Sequence, residues 1–164
     1  MLQPKQETRF EYKGFPCVVL FMPIGYRCGY VGLPNNNKYY KKKYDDIPVD
    51  CHCGLTYSAP GLFGQNDKDT WWIGFDCGHF CDGLDSKSFH LYYDDDLETM
   101  DPKYRKPYMF SLERMFDICS EYPVRTQEYV ENECRKIVDQ IVGGGASDRT
   151  IDSSSTIRID SFGR

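Results

Sequence analysis

The first two thirds of the chain alternate apolar and polar positions over short spans, and only the last third carries stripes of helical period. Residues 1–8 are polar and are expected to fray. Arg9–Tyr12, Cys17–Met22 and Tyr26–Val31 read as three short strands. They are broken at Lys13-Gly14-Phe15-Pro16 and Pro23-Ile24-Gly25, where glycine and proline favour turns. The clearest strand pair is Val49–Ser58 with Trp71–His79. In the first strand Val49, Cys51, Cys53, Leu55 and Tyr57 share one face, and Asp50, His52, Gly54, Thr56 and Ser58 the other. In the second, Trp71, Ile73, Phe75 and Cys77 oppose Trp72, Gly74 and Asp76. One apolar and one mixed face per strand predicts an antiparallel sheet covered on one side. Ser88–Tyr93 fits one more strand, and the acidic run Asp94–Asp101 fits a surface excursion.

The period then changes. Leu112, Met115, Phe116 and Cys119 predict a helix over Leu112–Tyr122, ended by Pro123. Val130, Cys134, Ile137, Val138, Ile141 and Val142 form one stripe over Arg125–Val142. Thr126 is its expected N-cap, and Gly143-Gly144-Gly145 stops it. Strands first and helices last give an α+β fold, a largely antiparallel sheet packed on one face by C-terminal helices. The expected organisation is a single domain over residues 9–142, between frayed residues 1–8 and a flexible Ser-, Asp- and Gly-rich tail over 143–164.

Composition narrows the classes. The 164 residues are 40% apolar and 27% charged, enough for one domain with an ordinary core. No apolar run approaches the ~20 residues of a membrane span. Met1–Glu7 lacks the apolar segment of a secretory signal, so a cytoplasmic location is expected. The formal charge of −5 makes nucleic acid the less expected partner. Eight cysteines without an export signal read as reduced, buried thiols rather than disulfides, with Cys119 and Cys134 at apolar helix positions.

The densest polar constellation is Asp50, His52, Asp76, Cys77, His79, Cys81 and Asp82, which holds two of the three histidines. Three chemistries compete for it. Cys51-His52-Cys53 with Cys77-Gly78-His79-Phe80-Cys81 offers enough ligands for tetrahedral zinc, but the spacing departs from the usual two-residue gap, and alternation turns Cys51 and Cys53 into the core. His52, Asp76, His79 and Asp82 form a second set, two imidazoles and two carboxylates near one sheet edge. That set suits a divalent metal such as zinc or manganese, general acid–base work, or an inert hydrogen-bond network. A nucleophilic Cys77 activated by His52 or His79 is the third, opposed by the continuation of the apolar stripe through Cys77.

Lys38 to Tyr44 is the only basic cluster, with Lys41 and Lys42 between tyrosines that suit phosphate or ring stacking. Asp45 and Asp46 follow at once, as in a solvated loop tip. Alternation sets Trp72 on the polar face with His52 and Asp76. Gly25, Gly29 and Gly32 match no phosphate loop and read as turn or close-packing positions.

Several strings carry a resemblance. They are Cys28-Gly29-Tyr30-Val31-Gly32-Leu33-Pro34, Tyr44-Asp45-Asp46-Ile47, and His52-Cys53-Gly54-Leu55-Thr56-Tyr57-Ser58. Trp71-Trp72-Ile73-Gly74-Phe75-Asp76-Cys77 with His79 and Asp82, and Glu128-Tyr129-Val130-Glu131-Asn132-Glu133-Cys134, follow in order. Over roughly residues 26–142 the chain resembles a family of small, mostly uncharacterised proteins of tailed phages and prophages of Gram-positive bacteria. That family carries valine where this chain has Cys51 and glycine where it has Cys53 and Cys81, which weighs against the zinc set. His52, Asp76, Cys77, His79 and Asp82 match its pattern. The resemblance implies a phage-type accessory protein made in host cytoplasm.

The leading expectation is therefore an accessory protein that binds a host macromolecule or a small phosphorylated ligand, in counter-defence or host takeover. Its expected binding edge is Tyr44, Asp45 and Asp46 with His52, Asp76, His79 and Asp82, flanked by Lys41, Lys42 and Trp72. The alternatives are a metal-assisted hydrolase or nuclease using His52, Asp76, His79 and Asp82, and a structural or assembly protein docking through its tail.

Overall fold

Turn residues set the first hairpin. Lys13 and Gly14 both take positive φ, 48° and 82°, and join two antiparallel strands that meet at Tyr12 and Phe15. The computed structural model describes residues 1–62 and 69–144. Its strands are β1 (Lys5–Tyr12), β2 (Phe15–Phe21), β3 (Arg27–Pro34), β4 (Tyr57–Pro60) and β5 (Thr70–Asp76). They make one antiparallel sheet in the order β1-β2-β3-β5-β4. Three helices follow, α1 (Ser86–Thr99), α2 (Pro102–Ile118) and α3 (Gln127–Val142). The α+β architecture expected from the sequence is the one observed.

Helix α3 matches its pattern closely. The Thr126 hydroxyl accepts the Tyr129 N–H at 3.2 Å, and Val130, Cys134, Ile137, Val138 and Ile141 are buried. This stripe lies on Cys17, Val19, Val31, Leu33, Ile73 and Phe75. A Cβ at Gly29 would meet the Phe75 ring and stand 2.9 Å from the Cys134 sulfur, so glycine lets α3 and Phe75 approach the sheet. Val142, expected in the stripe, is exposed.

The opposite sheet face is also covered, and this corrects the placement of Trp72. Its indole is buried with Val18, Leu20, Cys28, Tyr30 and Leu62, under the Arg9 guanidinium at 5.7 Å. The face that alternation marks as polar is a second, aromatic core, so Trp72 is not beside His52.

Further expectations change. Strand β1 starts at Lys5 rather than Arg9, so the span 1–8 is not wholly frayed. Glu7 is the extra residue of a bulge between Gln6 and Thr8, and its carboxylate takes two hydrogen bonds from the buried Arg27 guanidinium, at 2.6 and 2.9 Å. A charged strand residue aimed inward has no apolar signature. Val49–Ser58 is not one strand, because Cys53 and Gly54 turn the chain at φ 52° and 90°, and pairing starts only at Tyr57. Likewise β5 ends at Asp76, short of His79.

Ser88–Tyr93 lies inside α1, capped by Asp85, whose carboxylate accepts the Ser88 N–H at 2.9 Å. Its buried residues Phe89, Tyr93 and Leu97 are four apart, a period visible only when the acidic run is read as helix. They pack on Phe21 and Leu112 at the end of the sheet. Helix α2 starts at Pro102, ten residues before the expected Leu112, and carries Pro107 in its interior. Pro107 has no N–H to offer the carbonyl of Lys103, one turn earlier at an exposed position of the helix. Cys119 is the C-cap of α2 and is half-buried. The tail expected from 143 onward falls, from residue 145, outside the described residues.

Candidate functional site

Three segments meet beyond the C-terminal end of β5: the turn at 51–54, the loop 77–84 and the start of α3. Loop 77–84 is fixed by its backbone. Its Cys77 N–H donates to the Arg27 carbonyl at 2.9 Å, and the Gly83 N–H to the Pro123 carbonyl at 2.9 Å. Gly83 runs in a parallel bridge with Val124, where any Cβ would collide with the Tyr122 carbonyl. The loop therefore ties the sheet to the linker between α2 and α3.

Asp82 is the centre of the junction. Its side chain is 0% exposed and accepts His52 Nε2–H at 2.8 Å and Arg125 Nε–H at 2.8 Å. It also accepts the His79 backbone N–H at 3.2 Å. Burial works to raise its pKa, but the Arg125 and His52 hydrogen bonds, with the His79 N–H, hold it below the ordinary carboxylate value. His52 is buried and used on every side. Its backbone N–H donates to Glu133 Oε2 at 2.7 Å, and its Nδ1 takes the Tyr129 hydroxyl at 2.9 Å. With Nε2–H donating to Asp82, Nδ1 accepts from Tyr129. Burial, then the Glu133 charge, pushes the Tyr129 pKa up, so its hydroxyl stays a donor.

His79 differs. Its ring lies 5.6 Å from that of His52 and is about one third exposed. Its Nδ1 is shut off from water with no hydrogen-bond partner, 3.5 Å from Asp82 Oδ2 and 3.8 Å from Asp76 Oδ1. Asp76 is partly exposed, accepting from Thr56 Oγ1 at 3.0 Å and the Gly78 N–H at 3.1 Å. The four residues His52, Asp76, His79 and Asp82 thus do come together. They form a graded set, closed at His52 and Asp82 and open at His79 and Asp76.

The cysteines divide: Cys51 and Cys77 are buried as their apolar stripes predict, and Cys53 departs from its expected burial. Cys51 and Cys77 belong to the α3-facing core, and burial lifts the Cys51 thiol to about 12 and the Cys77 thiol further. Neither is a reachable ligand, and Cys77 is not a nucleophile. Cys53 and Cys81 are exposed. Alternation had buried Cys53, but the left-handed backbone at Cys53 turns its thiol outward.

The other predicted binding residues lie at the opposite end of β5. The Trp71 indole N–H donates to the Lys42 carbonyl at 2.9 Å, and the Tyr44 N–H to Ser58 Oγ at 3.0 Å. Tyr44, Asp45 and Asp46 form an exposed 3₁₀ turn there, and the Lys41 ammonium rests 5.3 Å over the Tyr40 ring. They do not share an edge with the His/Asp group.

Sequence reasoning missed Arg125, just before the Thr126 cap of α3, and Tyr129 and Glu133, four apart on one side of that helix. It also missed an apolar cleft of about 470 Å³ that has His79 and Asp82 in its wall. Tyr26, Phe80, Leu84, Met115, Ile118 and Tyr122 line the rest. Phe80 and Ile118 are 89% and 68% exposed, large apolar groups held in water. A second apolar cleft of about 390 Å³, between Leu2, Met100, Tyr104 and Tyr108, shares Ile24 with the first. Neither cleft is lined by lysine or arginine.

No family model, curated protein or solved structure matches this chain. Among the described residues, no helix is long and apolar enough to cross a membrane.

Proposed function

We propose that this protein is a binding module of the accessory type, holding an apolar segment of a host protein in the cleft beside His79. The observation that carries the reading is the apolar cleft beside His79, with Phe80 and Ile118 of its lining exposed and a second apolar cleft sharing its Ile24. Concave apolar surface with a few convergent polar groups is the usual form of a binding site. The partner chemistry follows from the walls. With no lysine or arginine in either cleft, a phosphorylated ligand has no counter-charge. The resemblance to phage proteins supports a host protein as the source.

Catalysis has less support from the same geometry. His52 and Asp82 satisfy each other, and both His52 ring nitrogens are engaged. A photo-crosslinking residue at Ile118 or Phe80, used in host cells, identifies the partner. Ile118→Asp is then expected to weaken the purified pair by about tenfold or more, as loss of a central apolar anchor does. Leu91→Asp, at an exposed position of α1 outside both clefts, should leave affinity unchanged. Equal effects of the two substitutions would refute the cleft as the binding surface.

A further inference from the structure

Metal-ligating donors converge where the closed and open halves of the junction meet. One ring nitrogen of His52, the Cys53 sulfur and one ring nitrogen of His79 lie within 4.8 Å of one another. Around tetrahedral zinc, bonds of about 2.0 Å to nitrogen and 2.3 Å to sulfur put neighbouring ligand atoms roughly 3.3–3.5 Å apart, so the three need close by at most about 1.5 Å. The local backbone favours this. The left-handed turn at Cys53 and Gly54 points the thiol away from the core while the next residue back, His52, stays anchored. His79 Nδ1 is a buried nitrogen that no hydrogen bond satisfies, and carboxylate oxygens of Asp82 and Asp76 stand 3.5 and 3.8 Å away. Such an atom calls for a missing partner, and between a thiol and two carboxylates that partner is a cation.

We infer that His52, Cys53 and His79 form a binding site for a divalent transition metal of the zinc type, with a fourth position left open. Two imidazoles and a thiolate select zinc, cobalt or nickel over magnesium, calcium or manganese, which prefer oxygen. The metal replaces one of the two ring contacts of His52. The contact that remains, to Asp82 or Tyr129, fixes the ring as outer partners of metal-bound histidines do. Binding releases the Cys53 proton to solvent. The set differs from both sequence-based ones, sharing His52 and His79 with them and taking Cys53 in place of the buried Cys51 and Cys77. It holds whether or not the cleft binds a partner.

Cobalt(II) is the probe, titrated into the full chain kept reduced with a phosphine. The expected result is one equivalent bound, with the visible bands of a four-coordinate ion and a sulfur-to-cobalt band in the near ultraviolet, both removed by zinc. Cys53→Ser should abolish the sulfur band, and His79→Ala should weaken binding by about tenfold or more, at least the loss seen on removing an outer partner. Both positions are open to solvent, and circular dichroism checks that the variants fold. Cys81→Ser should keep the sulfur band. Absence of any cobalt spectrum in the wild-type chain would overturn the site. So would a sulfur band that survives Cys53→Ser or disappears in Cys81→Ser alone.

Discussion

Two imidazoles face the same aspartate and have opposite circumstances. His52 is buried, with both ring nitrogens and its backbone N–H paired; His79 is partly exposed, with an unpaired Nδ1, and lines a cleft. The inner half of the junction, His52 with Asp82, Arg125 and Tyr129, ties the 51–54 turn, the 77–84 loop and α3 together. The outer half, His79 with Cys53, Asp76 and the apolar rim, is left open by that scaffold. The difference teaches that closeness in space does not make residues equivalent: His52 can take a ligand only by giving up a contact that holds the fold, whereas His79 Nδ1 has no hydrogen bond to give up.

The largest way to break this contrast is at Asp82. Asp82→Ala leaves the His52 Nε2–H and Arg125 without their acceptor, and the expected loss is about 3 kcal/mol in denaturant unfolding. A loss under about 1 kcal/mol would mean that the inner half is not structural. The pH dependence sharpens the same point. The folded-state pKa of Asp82 lies below its unfolded value, so its contribution is present above the unfolded value, about 3.9, and fades as pH falls through the lower folded value. The gap in stability between wild type and Asp82→Asn should therefore be constant from neutral pH to about 5 and shrink in stronger acid. A gap that widens on acidification would contradict the assignment. Next in size, Tyr129→Phe removes one donor to His52 and should lower stability by about 1 kcal/mol, read from the shift in denaturant midpoint. The smallest effect belongs to the outer half: Cys53→Ser should move the midpoint by no more than about 0.5 kcal/mol.

Helix α3 was legible because an amphipathic stripe, a threonine cap and a glycine stop all agree on it. Helices α1 and α2 were not, because acidic residues and Pro107 interrupt their apolar pattern while Phe89, Tyr93 and Leu97 still bury at helical spacing. Trp72 was misplaced because alternation tells the faces of a strand apart but not whether the second face is also covered. The grouping of His52, Asp76, His79 and Asp82 was readable, since flanking segments carry them to one end of β5. Its internal division was not, because Arg125, Tyr129 and Glu133 come from α3 and the residue before its cap, some forty to eighty residues away in sequence. The cleft was invisible for a related reason: its walls come from the β2–β3 turn, loop 77–84 and α2, none of which shows the others in its own pattern.

The division of the junction is tested most directly by comparing the denaturant unfolding of His52→Ala and His79→Ala. His52→Ala strands the Asp82 oxygen and the Tyr129 hydroxyl inside the protein, and should cost about 2 kcal/mol. His79→Ala removes a ring with no hydrogen bond and should fall within about 0.5 kcal/mol of wild type. Equal losses in the two variants, or a larger loss for His79→Ala, would contradict the account.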